Sequence, residues 1–240
     1  MLSFSQGGHP RAVAAKKRVL GLIVGLGLGA GVFYYKRIAR ALEAGSNSGL
    51  MLAHADLRKV LNAVRSGDIA SLAEYLNTMI TGLANAGATL SAISAVTPHI
   101  CIPQLTRSAA IPIISILDCV RAELEGGSVR RLALFGTRYV IESDMFGSLP
   151  NVDIVRPTGA EVSLIDGVYK GLAARGYGIA EDREMLNKVG LALREREHVE
   201  VILLAGTDLS MLFECEEPAF PSLDCSVVHI RAILGRLIGS

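Results

Sequence analysis

The residues able to do chemistry in this 240-residue chain gather just after short apolar runs. Leu90 to Val96 leads into Thr97-Pro98-His99. Arg131 to Phe135 leads into Gly136-Thr137-Arg138, with Glu142 and Asp144 close behind. Val199 to Ala205 leads into Gly206-Thr207-Asp208, and Leu50 to Ala53 into His54. Imidazole titrates near neutral pH, so His99 and His54 suit proton transfer, although a histidine in such a place is more often a structural hydrogen bonder. Glu142 and Asp208 are candidate acids or bases; Asp208 is also a natural helix cap, and Asp144 a solvated helix residue. Arg138 offers a planar fork to a carboxylate, or a salt bridge to a neighbouring acid. The hydroxyls of Thr97, Thr137 and Thr207, with free N–H groups at the following helix starts, can anchor a carboxylate. Ala95 is the oddity: it stands where a reactive group is wanted, and a methyl group moves no proton.

Bulk properties narrow the classes. Half the residues are hydrophobic, 5% are aromatic and the formal net charge is +1, which leaves no electrostatic footprint for nucleic acid. The four cysteines, at 101, 119, 215 and 225, form no C-x-x-C pair, so no metal site or redox motif is expected. Free thiols fit a reducing, cytoplasmic setting, and Cys101 reads as a small buried hydrophobe. Lys16-Lys17-Arg18 before the uncharged run Val19 to Tyr35 has the look of a membrane anchor. The run is short for a span and carries glycine at 21, 25, 27, 29 and 31, so a strand, a glycine-rich turn and a helix is the better reading, without a membrane.

The elements that must position these residues follow from the apolar runs. Strands are expected at Val19–Val24, Leu50–Ala53, Leu90–Ala95, Ile111–Ile114, Arg131–Phe135, Val152–Val155 and Val199–Ala205. Pro98 cannot donate to a ladder, so the central strand must stop before it. Helices are expected after the glycine turn through Leu42, then at Ile69–Ala86 capped by Asp68, Ile116–Glu125, Ile141–Leu149, Glu161–Arg175, Ala180–Glu197 and Asp224–Ile238. Continuous apolar strands alternating with helices mark parallel sheets covered on both faces, an α/β fold. In such sheets ligands bind beyond the carboxyl ends of the strands, where the candidate residues lie. The turn Gly25-Leu26-Gly27-Leu28-Gly29 is not a P-loop. It begins a dinucleotide fingerprint, with Ala30 at the third place, but no acid closes a second strand at the required spacing.

The order and wording of these strand ends resemble the aspartate/glutamate racemase family, which works without pyridoxal phosphate. The resemblance rests on Leu22 to Gly27 running into Phe33 to Ile38, on Ala86-Gly87-Ala88 leading to Thr97-Pro98-His99, and on Leu134 to Arg138 with Glu142. It continues through Thr207-Asp208 and the closing His229, covering Arg18 to the C-terminus. It implies two similar α/β domains with a ligand cleft between them, no cofactor, a small amino-acid or related carboxylate ligand, isomerase chemistry and a homodimer. The implied division is a loose tail at 1–17, a first domain of 18–105 plus 213–240, and a second of 106–212. The family exchanges the α-proton between two thiols on opposite faces of the substrate. Here the Pro-Cys-Asn-Thr-Ala-His pattern reads Ser94-Ala95-Val96-Thr97-Pro98-His99, and Gly-Cys-Thr-Glu reads Ala205-Gly206-Thr207-Asp208. Both cysteines are gone, and neither Cys101 nor Cys225 falls on their positions. Another acid or base is then needed, with His99, Glu142 and Asp208 the candidates and Gly27, His54, Val96, Thr97, Thr137, Arg138, Thr207 and His229 around the ligand. The alternative is a binding protein that kept the cleft and lost the chemistry.

Overall fold

The computed structural model describes residues 17–44, 47–147, 149 and 151–238. Its ten α-helices and eight strands repeat one plan twice. The first unit runs β1 (Val19–Val24), α1 (Leu28–Glu43), β2 (Gly49–His54), α2 (Leu57–Ser66), α3 (Ile69–Asn85), β3 (Leu90–Ile93), a 3₁₀ turn (Thr97–Cys101), α4 (Ile102–Ser108), β4 (Ile113–Ile114) and α5 (Ile116–Glu125). The second runs β5 (Arg131–Phe135), α6 (Arg138–Glu142), β6 (Asp153–Val155), α7 (Gly159–Arg175), α8 (Ala180–Glu197), β7 (Val201–Leu204), α9 (Leu209–Leu212), β8 (Ser222–Asp224) and α10 (Cys225–Ile238). Each unit forms a four-stranded parallel sheet, ordered β2-β1-β3-β4 and β6-β5-β7-β8.

The central strands are apolar along their whole length because helices cover both faces: Leu20, Leu22, Ile23, Leu203 and Ile202 are fully buried. Local signals set the helix ends. Asp56 and Asp68 accept from the N–H groups of Arg58 and Ser71 at the starts of α2 and α3, and Gly67 closes α2 with φ +70°. Thr158 and Glu161 form a reciprocal capping box on α7.

The last helix of each unit packs on the other unit. Ile116, Val120 and Leu124 of α5 join the core built on the second sheet. Ile230, Ile233 and Leu237 of α10 join Leu20, Leu22 and Phe33 over the first sheet. The two exchanged helices also pack against each other.

Several expectations shift. The implied division puts residues 113–114 in the second domain and 222–224 in the first, but β4 pairs with β3 in the first sheet and β8 with β7 in the second. The helix expected at Ile141–Leu149 is instead Arg138–Glu142, because Thr137 caps it by accepting from the Val140 N–H. Helix α2 and strand β8 are additional elements. The loop expected after β3 is a buried 3₁₀ turn. The anchor-like run divides into β1 and α1, and among the described residues no helix is long and apolar enough to cross a membrane. Residues 1–16 of the expected tail lie outside the described residues.

Candidate functional site

The carboxyl ends of β1, β3, β5 and β7 meet at the seam between the two sheets, and the glycine-rich turn explains itself there. α1 has no side-chain cap of its own and no acid in its first turn. Asp208, delivered from the end of β7, supplies both: its Oδ1 accepts the Ala30 N–H at 3.2 Å. A carboxylate there is stabilised by the positive end of the helix dipole. A Cβ at residue 27 would stand 2.7 Å from Asp208 Oδ1 and closer still to Oδ2, so only glycine lets the carboxylate in. Gly29 likewise makes way for the side chain of Met211. These glycines serve a contact between the two units.

Tyr169 of α7 completes this cluster. Its hydroxyl donates to Asp208 Oδ2 at 3.0 Å. Its ring lies against Gly206, where a Cβ would be 3.0 Å from Cδ2 and closer to Cε2. Burial pushes the Asp208 carboxyl above the usual range, with the Tyr169 and Ala30 donors opposing that shift. Burial, then the Asp208 charge, raises the Tyr169 hydroxyl. Sequence reasoning passed over Tyr169 because it continues the apolar stripe of Val162, Ile165 and Leu172. Its polar partner is 39 residues away in the chain.

After β3, two successive residues pack in different cores. Ala95 packs in the core of the first unit and Val96 in that of the second. Ala95, Val96, Thr207 and Asp208 are all buried, as is Gly206. Thr97 is half-buried beside them.

The histidines are engaged in backbone bonds. His99 donates from Nδ1 to Ala95 O at 2.8 Å, and its Nε2 accepts the Ile116 N–H at 3.2 Å. His229 donates from Nε2 to Ile114 O at 2.9 Å, and its Nδ1 accepts from the Tyr34 hydroxyl at 3.0 Å. Each ring is thereby held neutral in one tautomer, with both nitrogens committed. Burial lowers His99 to about 4. Burial and then the neighbouring His99 lower His229 to about 3. Their rings lie 6.4 Å apart, and through them β4 is held to α10 of the second unit and the start of α5 to the turn after β3. This placement leaves His99 no lone pair for a substrate.

Glu142 and Arg138 satisfy each other on the outside of α6, with Nη1 to Oε1 at 2.8 Å and Nη2 to Ser163 Oγ at 2.8 Å. Neither is placed in the buried seam. Asp144 is exposed and pairs with Arg156 at 3.4 Å. Thr137 is spent as the α6 cap. His54 is exposed, and its ring covers Gly25, whose φ of +89° turns the chain out of β1. Among the free thiols, burial pushes Cys101 up to about 11 and Cys225 well above its ordinary value. No cluster of three or more metal-ligating side chains occurs among the described residues.

Known structures share this architecture. The chain is similar to an aspartate racemase homologue from Pyrococcus horikoshii OT3, at TM-score 0.76 and 22% identity over 94% of this chain and 100% of that one. It is similar to the Picrophilus torridus aspartate racemase at TM-score 0.72 and 18% identity, over 92% and 94% of the two chains. The Francisella tularensis glutamate racemase, solved with D-glutamate, matches at TM-score 0.62 and 15% identity, over 92% and 80%. A sequence model of the Asp/Glu/Hydantoin racemases matches residues 23–233. With nearly the whole chain covered, the protein belongs to the Asp/Glu/Hydantoin racemase family.

Proposed function

We propose that this chain binds a small carboxylate, an amino acid or close relative, at the seam between its two sheets, and that it does not exchange α-protons between paired thiols. The observation that carries the reading is Gly206: its place beside the Tyr169 ring admits a hydrogen and no side chain. On this reading Ala95 and Gly206 hold the positions of the two thiols in the racemases that the chain resembles. Acid–base catalysis needs an ionisable group within hydrogen-bond reach of the proton. A methyl group and a hydrogen supply none, while His99 and Glu142 are committed to other partners. Thr97 and Thr207 are the carboxylate anchors, no cofactor takes part, and the protein pairs as a homodimer by analogy with the family.

One observation favours a second reading. The Asp208 carboxyl and the Tyr169 hydroxyl form a part-buried couple 3.0 Å apart at this seam. They would move a proton on one face of a ligand, as a one-sided lyase or isomerase does. The test is incubation with D- and L-aspartate and glutamate in deuterated water, following the α-proton by NMR, alongside thermal melts. The proposal expects a raised melting temperature with an undiminished α-proton signal. Exchange by the wild-type protein overturns it, and exchange that vanishes in Asp208→Asn assigns the chemistry to the couple.

A further inference from the structure

A cavity opens beside the α1–α9 contact. It holds about 450 Å³, within the range of small-molecule sites. Its apolar wall is exposed to an unusual degree: Leu28 is 63% exposed, Val32 45% and Tyr177 60%. Leu28 and Val32 lie on α1 of the first unit, Tyr177 just after α7 of the second, so the cavity straddles the seam.

Its polar lining is cationic. Lys36 is exposed on the rim and pairs with no carboxylate among the described residues. Arg175 binds Asp182 through Nη2, yet its Nε is buried with no hydrogen-bond partner. The one acid of the lining, Glu214, is answered by Arg37 at 3.9 Å. Three cations against Glu214 and Asp182 leave one positive charge in surplus at the mouth of an apolar pocket.

We propose that this cavity is a binding site for an anion with an apolar body, such as an aryl or alkyl carboxylate. Its charged head lies against Lys36, and its body rests on Leu28, Val32 and Tyr177. The site is separate from the buried Asp208 cluster, and a ligand in it touches both units. Because Met211 lines the cavity and covers Gly29, occupancy also stiffens the α1–α9 contact.

The experiment titrates 4-phenylbutyrate into ¹⁵N-labelled protein and compares 4-phenylbutanol, which has the same body and no charge. The proposal expects saturable shifts at Leu28, Val32 and Tyr177, at least tenfold weaker binding of the alcohol, and a similar loss for Lys36→Gln and Lys36→Glu. Both variants keep the wild-type response to aspartate and glutamate, so failure here leaves the seam reading standing. Equal binding of acid and alcohol, shifts confined to other residues, or unchanged affinity in Lys36→Gln overturns it. So does sedimentation showing a dimer that Val32→Glu dissociates, which assigns the same face to a second copy of the chain.

Discussion

At the scale of single residues, two features dominate: a missing side chain and a pair of buried imidazoles. Inserting Cys at 206 forces the sulfur and Cβ into the Tyr169 ring, and overpacking of this kind costs about 1–3 kcal/mol. Urea unfolding of Gly206→Cys is expected to show that loss, with Gly206→Cys/Tyr169→Ala losing less than the sum of its parts. Additive losses would show that the ring does not guard the position. For the histidines, the folded pKa of each lies below the unfolded 6.5, so the unfolded chain binds more protons as the pH falls. Their stabilisation is full above pH 6.5 and drains away between there and about 4 for His99 and about 3 for His229. Moving from pH 8 to pH 5 is expected to cost about 2 kcal/mol per imidazole, at 1.4 kcal/mol per pH unit below the unfolded value. Urea midpoints at the two pH values measure the loss, and His99→Gln should reduce the slope. The sequence offered a structural hydrogen bond for His99 and the missing side chain at Gly206, but not the groups that surround them. The partners of His99 are the Ala95 carbonyl and the Ile116 amide, and backbone groups leave no residue-type signal.

Among the elements, legibility tracked the length of the apolar run. β1, β5, α5 and α8 fall at their expected residues because each is bounded by polar or glycine residues and reads unbroken. β8 is three residues, Ser-Leu-Asp, held by pairing to β7 and not by any pattern of its own. α6 was misplaced because Thr137 was weighed as a ligand anchor when it is a cap. The glycine turn was legible as a turn, but its reason lay on the other unit. Here the strongest element-scale prediction concerns Gly25→Ala. The residue has φ +89°, and an added Cβ would meet Ala55 O at 2.8 Å and the His54 ring at 2.7 Å. Loss of at least about 1–2 kcal/mol is expected from the backbone conformation alone. An unchanged melting temperature would mean that the turn relaxes freely. Thr158→Ala, which removes the capping box of α7, should cost about 1 kcal/mol without touching the seam.

For the whole molecule, the exchange of α5 and α10 decides the behaviour. Each sheet is covered on one face by a helix from the opposite unit, so the two cores are expected to melt in one calorimetric transition. Ending the chain at Asp224 removes Ile230, Ile233 and Leu237 from above the first sheet and should leave that half unfolded as well as short. Two resolved transitions in the intact protein, or a folded first half without α10, would contradict this. The doubled plan itself was legible only through the family resemblance, since the two units share topology and little wording.

That exchange also bears on ancestry and on engineering. A protein whose halves each wear the other's roof cannot shed one of them, and a linker shortened between Glu125 and Arg131 would keep one molecule from closing on itself and let two molecules trade halves instead. The joint near Gly126-Gly127 is therefore where shortening the chain should yield an intertwined pair.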